Sequence, residues 1–567
     1  MSNLTDLLEK ASVILTPTAH AYEKMFAVKP IASFTTGNLI TNGGYDADTD
    51  WTKGTGCSIS GGVASFDGTQ GAPLGTLEQS LTTEVNQHYE ISFEIVSFTQ
   101  GNPASVKVGF DGGSGSGVFS DGVGAVGVYK EFLQSNGNDT FKITVNSGGK
   151  NPAFIGSIDN VSVRKISKAD FDLYTTSAST RVGPTGLIET VAARIPRVDY
   201  LGGTGHILVE APTTNTTTYS NDFTQGDIFG GSGDPGVDAG VLTSQQAISP
   251  DGTNNAWLLK DNNSGGSGQP NLRFFSVSVT SNDFNTVSIF AKKALTNNFI
   301  VLTSAGFDSS ANGDSWFNIS NGTLGTIDSD HTAKIEDYGN GWYRCQITFK
   351  TTTDTVGAVR IRLAVTDGSV SVTKDGTNGL YLFGLQCEAA FGGNKYATSY
   401  IPTSGSTVTR NGETFICNSL SDLINSSEGV LYIEAAVHAL DTTSRSISLN
   451  DNSTSNQISL EFDETTNRLK ASIGSGGSSV ELQYDASDLT QFNKIAVKYK
   501  ASDFALWFNG SEVATSEETP SMPTGMFQVV GREGAFSSSS SIFRGKIKCL
   551  AVYKEALTDA QLTALTT

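Results

Sequence analysis

Along most of the chain, apolar and polar side chains alternate with a period of two. Tyr89, Ile91, Phe93 and Ile95 fall on one side and Glu90, Ser92 and Glu94 on the other, the pattern of a strand buried on one face. Val106-Val108-Phe110, Phe141-Ile143-Val145 and Ile158-Val161-Val163 repeat it, so residues 35–166 are expected to form a first β-module. Segments such as Val287-Ile289-Ala291, Trp316-Phe317-Ile319, Val359-Ile361-Leu363 and Leu380-Tyr381-Leu382-Phe383 predict a second over 217–396. Val430-Tyr432-Glu434-Ala436, Ile458-Leu460-Phe462, Ile495-Val497-Tyr499 and Ala505-Trp507-Asn509 predict a third over 425–567. A helical period opens the chain: Leu4, Leu7, Leu8 and Ala11, then Val13-Ile14-Leu15, make a short amphipathic helix in a separate segment, 1–34. Asn3 is its N-cap and Pro17 ends it. The expected fold class is mainly β: three antiparallel β-sandwiches in a row, with a short N-terminal helix.

Two stretches between the modules break the alternation without becoming plain linkers. Residues 167–216 and 397–424 carry prolines (Pro184, Pro196, Pro212, Pro402) together with Leu187-Ile188, Ile207-Leu208-Val209, Tyr400 and Ile401. Flexible tethers are Gly/Ser-rich or stiff with proline and charge, and do not space buriable side chains in this way. These are read as ordered connectors that pack on the modules they join. They echo one another, Ser179-Thr180-Arg181 and Ile195-Pro196 against Thr407-Val408-Thr409-Arg410 and Ile401-Pro402.

Charge narrows the range of partners. The 37 basic and 57 acidic residues leave a net charge of −20, which argues against the basic stripe a nucleic acid requires and against an anionic membrane partner. No apolar run is long enough to insert into a bilayer. The five cysteines are scattered, with no C-x-x-C, as expected of reduced thiols used as small core residues.

Particular motifs carry resemblances. Ser179-Thr180-Arg181, Gly186-Leu187-Ile188-Glu189, Pro196-Arg197, Asp199-Tyr200, Glu210, Asn215, Tyr219-Ser220 and Asp222-Phe223 resemble, in order, a linker of phage virion proteins, chiefly tail-fibre-like ones. The usual Glu-Pro-x-x-Thr-Asn is here Glu210-Ala211-Pro212-Thr213-Thr214-Asn215, with the proline one place later. The leader Ala11 to Ala19 is similar to the start of phage appendage proteins. Asn38-Leu39-Ile40, Asn42-Gly43, Tyr45 and Trp51-Thr52, with Ile158-Asp159-Asn160-Val161, resemble carbohydrate-binding-module jelly rolls, in which a structural calcium often sits near the chain ends. Gly339-Asn340-Gly341-Trp342-Tyr343-Arg344 is similar to a hairpin of phage jelly rolls, with Asn340-Gly341 suited to a type I′ turn. Trp507 to Val513, Phe543 to Tyr553 and Ala556 to Leu562 resemble concanavalin A-like, laminin G-like lectin sandwiches, whose final helix here would have Thr558 as N-cap and Leu562 and Leu565 inward.

Chemistry is sparse. The five histidines are in no zinc-ligand spacing, and neither a nucleophile elbow nor a P-loop occurs. Glycoside hydrolysis needs two carboxyl groups about 5–9.5 Å apart; Glu461-Phe462-Asp463-Glu464 lacks the spacing of the lectin-like glycosidases, and Glu90/Glu94 read as an exposed strand face. The chain is therefore expected not to be an enzyme. Asp46, Asp48, Asp50 and Asp159 are either ligands for Ca²⁺, the one cofactor in view, or a solvated acidic turn. Trp342 and Tyr343 are either a sugar-stacking platform or core beside a tight turn, the commoner use of aromatics. Leu4, Leu7, Leu8 and Phe26 either dock the chain onto other virion proteins or pack on the neighbouring module. Asn509, with Asp451 and Asn452 beside it, is the candidate glycan-binding group on the third module, against ordinary turn residues. The resemblances imply a virion protein assembled in the host cytoplasm, a homo-oligomer, recognising a host-surface glycan or protein. The alternative is a head or tail decoration protein with a purely structural role.

Overall fold

A computed structural model describes residues 7–8, 10–17, 20–21, 24–26, 37–70, 75–84, 88–101, 106–111, 118–120, 122–135, 137, 140–145, 153–166, 170–174, 177–193, 195–225, 237–238, 240–307, 311–389, 395–417, 420–421, 423–439, 444–463, 466–531 and 542–567. Antiparallel strands dominate, and the chain divides into two compact units, one of residues 27–170 and one of residues 1–26 with 171–567. The smaller unit is thus inserted into the larger. Among the described residues no helix is long and apolar enough to cross a membrane.

The smaller unit is a sandwich of two five-stranded sheets. Strand His88–Gln100 pairs with Gly127–Gln134 on one side and Ile155–Ile166 on the other. Its inward residues Tyr89, Ile91, Phe93 and Ile95 meet Val106, Val108, Phe110, Phe141, Ile143 and Val145 of the opposite sheet. The period-two pattern therefore runs straight into the core.

The larger unit holds two sandwiches. In one, an eight-stranded sheet built on Phe284–Lys293, Trp342–Lys350 and Gly379–Ala389 faces a six-stranded sheet built on Asn271–Ser278, Val356–Ala364 and Phe299–Ala305. Asn340 and Gly341 have φ of +53° and +76°, the type I′ turn their sequence calls for. Cys345 and Cys387 are free thiols on strands that flank Phe284–Lys293 from opposite sides. In the other sandwich, Glu428–Val437 is the centre of an eight-stranded sheet and Ser444–Asn450 lies within a nine-stranded one. The chain closes with helix Asp559–Thr566, which buries Leu562 and Leu565; the Thr558 N–H donates to Gln561 Oε1 at 3.0 Å.

The N-terminal segment departs from expectation. Leu7, Leu8 and Lys10 are helical, but Val13–Leu15, expected to continue the helix, is a strand paired in register with Leu550 to Val552. A helix this short is marginal alone. An apolar run with β-branched Val13 and Ile14 gains more by capping the exposed ladder of Gly545–Tyr553. Leu7, Ala11 and Ile14 are buried with Val430, Tyr432, Trp507 and Leu562, and Leu8 packs partly against the same cluster. Leu7 is thus committed to the core of this chain's own last sandwich, not left for docking; Leu4 lies outside the described residues, as does the side chain of Phe26.

Candidate functional site

The segments read as connectors do more than pack: they supply strands. Ile207, Leu208 and Val209 pair with Ile547, Lys546 and Gly545 of the last sandwich, and all three side chains are buried. Six residues on, Thr213–Asn215 pairs with Val408–Arg410, and Asn215 with Glu388 of the preceding sandwich. One short stretch is thereby stitched into both sandwiches. The two connectors cross so closely that a Cβ on Gly412 would come within 2.7 Å of the Pro212 ring, so glycine is required there.

A four-charge network lies at the crossing. Arg197 donates from Nη1 to Glu210 Oε2 at 2.7 Å and to Thr180 O at 3.1 Å, and its Nη2 is 2.6 Å from Glu413 Oε1. Arg410 bonds Glu413 at 3.3 Å and donates to Ala211 O at 2.5 Å. The Glu210 carboxylate also accepts from Ser399 N and Oγ, both at 2.8 Å. Side-chain exposure is at most 4 % for all four. Each connector supplies one arginine and one glutamate, so the buried charges cancel. Burial alone would weaken the Arg197 guanidinium as a base; Glu413 and Glu210 outweigh it and raise its pKa. Burial likewise opposes ionisation of Glu210, and Arg197 with Arg410 drives its pKa far below the usual carboxylate range. The planar fork of arginine, which can serve two carboxylates and a carbonyl at once, is what this geometry uses.

Beside the network His438 stacks on Tyr396, centroids 4.5 Å apart, and bonds Val209 O at 2.9 Å through Nε2. Burial is the main cause that lowers its pKa from the usual 6.5 to about 3, with Glu210 opposing. The unfolded chain therefore takes up this proton near pH 6.5 and the folded chain only near pH 3. Between those values the unfolded state binds more protons, so stability falls as pH is lowered through the window. Denaturant titrations at pH 7, 5 and 4 should show this loss, and His438→Gln should reduce it, the remainder coming from His206 and His331, whose pKa values burial also lowers. The cavity beside Tyr396, Ser399, Glu336 and Lys546 has a volume of about 40 Å³, room for water but far below the ~300–1,000 Å³ of ligand sites.

The residues singled out from the sequence do not make a site. Asn509 is a turn residue (φ +46°) whose Oδ1 accepts from Lys494 N at 2.9 Å and whose Nδ2 donates to Asn493. Asp451 accepts from Ser453 N and Oγ and from Asn456 Nδ2, and Asn452 has φ +72° in the same turn. Nor are they side by side. Phe527 N bonds Asn450 O and Met526 N bonds Ser426, ahead of strand Glu428–Val437, whereas Asn493 pairs with Ala435 near that strand's other end. Asn509 and Asp451/Asn452 therefore sit at opposite ends of the sandwich. Asn509→Ala and Asn509→Gly both lose the side-chain hydrogen bonds, but only alanine strains the positive φ, so the alanine variant should be the less stable by about 1 kcal/mol in thermal melts.

The aspartates do not converge either. Asp48 pairs with Lys53, Asp50 accepts from Thr49 Oγ1, and Asp159 accepts from Asn160 N. The loop's own carbonyls, Ala47 O and Thr49 O, are taken by the Asn42 amide at 2.6 and 3.1 Å. Among the described residues no group of three or more His, Cys, Asp or Glu is placed to hold a metal ion. Trp342 is 2 % exposed and donates Nε1–H to Ile248 O, so it is core and not a platform. Glu90 and Glu94 are engaged by Lys130 and Asn160. The buried network was missed because the sequence shows Arg197, Glu210, Arg410 and Glu413 as four motif positions up to 216 residues apart, with nothing to say that they meet.

Residues 433–563 match the family model of the concanavalin A-like lectin/glucanases superfamily. The C-terminal sandwich is thus lectin-like in sequence as well as in fold. No curated protein matches the chain. Among solved structures, the chain is similar to the Ruminococcus gnavus IT-sialidase CBM40 bound to α2,3-sialyllactose (16 % identity, 26 % of this chain and 91 % of that one, TM-score 0.24). It is also similar to the CBM22-1–CBM22-2 tandem of Paenibacillus barcinonensis Xyn10C (14 %, 66 % and 99 %, 0.23) and to mouse laminin α1 domains LG4-5 (11 %, 50 % and 88 %, 0.18). At these scores the likenesses bear on neither ligand nor mechanism.

Proposed function

We propose that this chain is a phage virion appendage protein, of tail-fibre type, that recognises a host-surface glycan and works as a homo-oligomer. The observation that carries the reading is the lectin-superfamily match over residues 433–563. The virion linker motif between Ser179 and Phe223 supports the context. Weak single-site glycan binding gains from copy number, which is the reason to expect several copies. Attachment to other virion proteins would use groups other than Leu7, which the last sandwich already buries.

A second reading, a decoration protein that binds no sugar, draws on the self-satisfied side chains of Asp451 and Asn509. The full-length chain on a glycan array, with immunogold labelling of particles, separates the two. Glycan binding displaced by free sugar, with label at the tail, supports the adhesin. Label over the whole shell with an empty array overturns it in favour of decoration.

A further inference from the structure

Three glycine-rich turns meet on the larger unit: 183–186 and 200–203 from the first connector and 337–339 from the preceding sandwich. They line a groove of about 410 Å³, within the ~300–1,000 Å³ of small-molecule sites. Resting on the glycan reading above, we infer that this groove binds a neutral oligosaccharide.

The backbone is open there. Gly186, Gly202, Gly203 and Gly339 have φ between +76° and +89°, and a Cβ on any of them would meet nothing within 4 Å. The space over these four glycines is therefore unfilled, while the N–H groups of Gly186, Gly203 and Gly339 are spent within the turns, on Gly183 O, Tyr200 O and Asp337 Oδ1. Two half-buried tyrosines line the groove. Tyr338 stands edge-on to Phe290, centroids 4.8 Å apart, and Tyr200 lies within 3.0 Å of where a Cβ on Gly205 would be, its N–H donating to Val182 O at 2.9 Å. Asp337 adds an exposed carboxylate, with one oxygen accepting from Gly339 N at 2.7 Å. A pyranose has an apolar C–H face for an aromatic ring and a rim of hydroxyls for a carboxylate. Charge sets the class. Neither lysine, arginine nor histidine is among the lining residues, and the one ionised lining group is a carboxylate, so sialylated, uronic or phosphorylated glycans are repelled. Turn 183–186 closes the hairpin of Ser179–Val182 and Ile188–Val191, 200–203 joins Val198–Asp199 to His206–Val209 on the last sandwich, and 337–339 joins two strands of the preceding one, so little ordering is left to be done on binding.

The test is calorimetric titration of the full chain with neutral di- to tetrasaccharides of glucose, galactose and N-acetylglucosamine, with sialyllactose as the acidic comparator. At least one neutral sugar should bind. Tyr200→Ala should weaken it roughly tenfold, about the worth of one aromatic contact. Thr185→Trp, which places an indole in the groove from an exposed turn, should abolish it with the melting temperature unchanged. Neutral-sugar binding indifferent to both substitutions overturns the groove and leaves the glycan reading standing. Binding of sialyllactose alone does the same. Binding of neither overturns both.

Discussion

Arg197→Ala should destabilise the larger unit by about 3–5 kcal/mol, the cost of breaking a buried ion pair from one side. The side chain is fully buried, and its removal leaves Glu210 and Glu413 facing Arg410 alone. Arg197→Lys keeps the charge but cannot reach Glu210, Glu413 and Thr180 O together, and should fall between wild type and alanine. The pair Arg197→Met with Glu210→Gln removes one charge of each sign. Its cost should be less than the sum of the two single changes, because the groups share one network. Denaturant unfolding followed by tryptophan fluorescence reads every variant, and additive losses would show that the charges do not act together.

Deleting residues 1–16 should have the next largest effect. The deletion uncovers the Leu550–Val552 ladder and empties the space held by Leu7, Ala11 and Ile14. Ser12 is lost too, with its bonds to Leu423 O and Val552 O. Each large buried apolar side chain contributes about 1.5–3 kcal/mol, partly offset by the ordering of its residue. Leu7→Ala alone should cost about 2–5 kcal/mol. The truncated chain should melt several degrees lower and self-associate through the bared edge strand. A synthetic peptide of residues 1–16 added in trans should restore the melt, and failure of any such peptide to act would argue against a strand-insertion role.

Much of the fold was legible because its signal is local. The alternation at Tyr89 to Ile95, the Asn340-Gly341 turn and the C-terminal helix with its Thr558 cap each depend on a few neighbouring residues. What the sequence hid are pairings across long separations. The apolar run Ile207-Leu208-Val209 was visible, but not its ladder with Gly545 to Ile547, nor that Val13–Leu15 extends the same strand's other half. Helical spacing misled at Val13–Leu15 because a waiting strand edge decides the conformation, and local propensity does not. The candidate site fared worse for a related reason. Exposed Asn and Asp in turns look alike whether they serve a ligand or their own backbone, and Asn509 and Asp451 serve the backbone. Tyr200 was in view as a motif residue, but the groove it lines with Tyr338 exists only once three turns distant in sequence meet.

Central to this account is that the connectors are structural elements of both sandwiches. Hydrogen–deuterium exchange of the intact chain, resolved at residues 206–215 and 408–413, measures this directly. Amides of Ile207, Leu208 and Thr214 should be protected as strongly as those of core strand Glu428–Val437, and should open with it in a single cooperative step. Exchange within seconds at those positions, while Glu428–Val437 stays protected, would mean that the sandwiches are merely tethered.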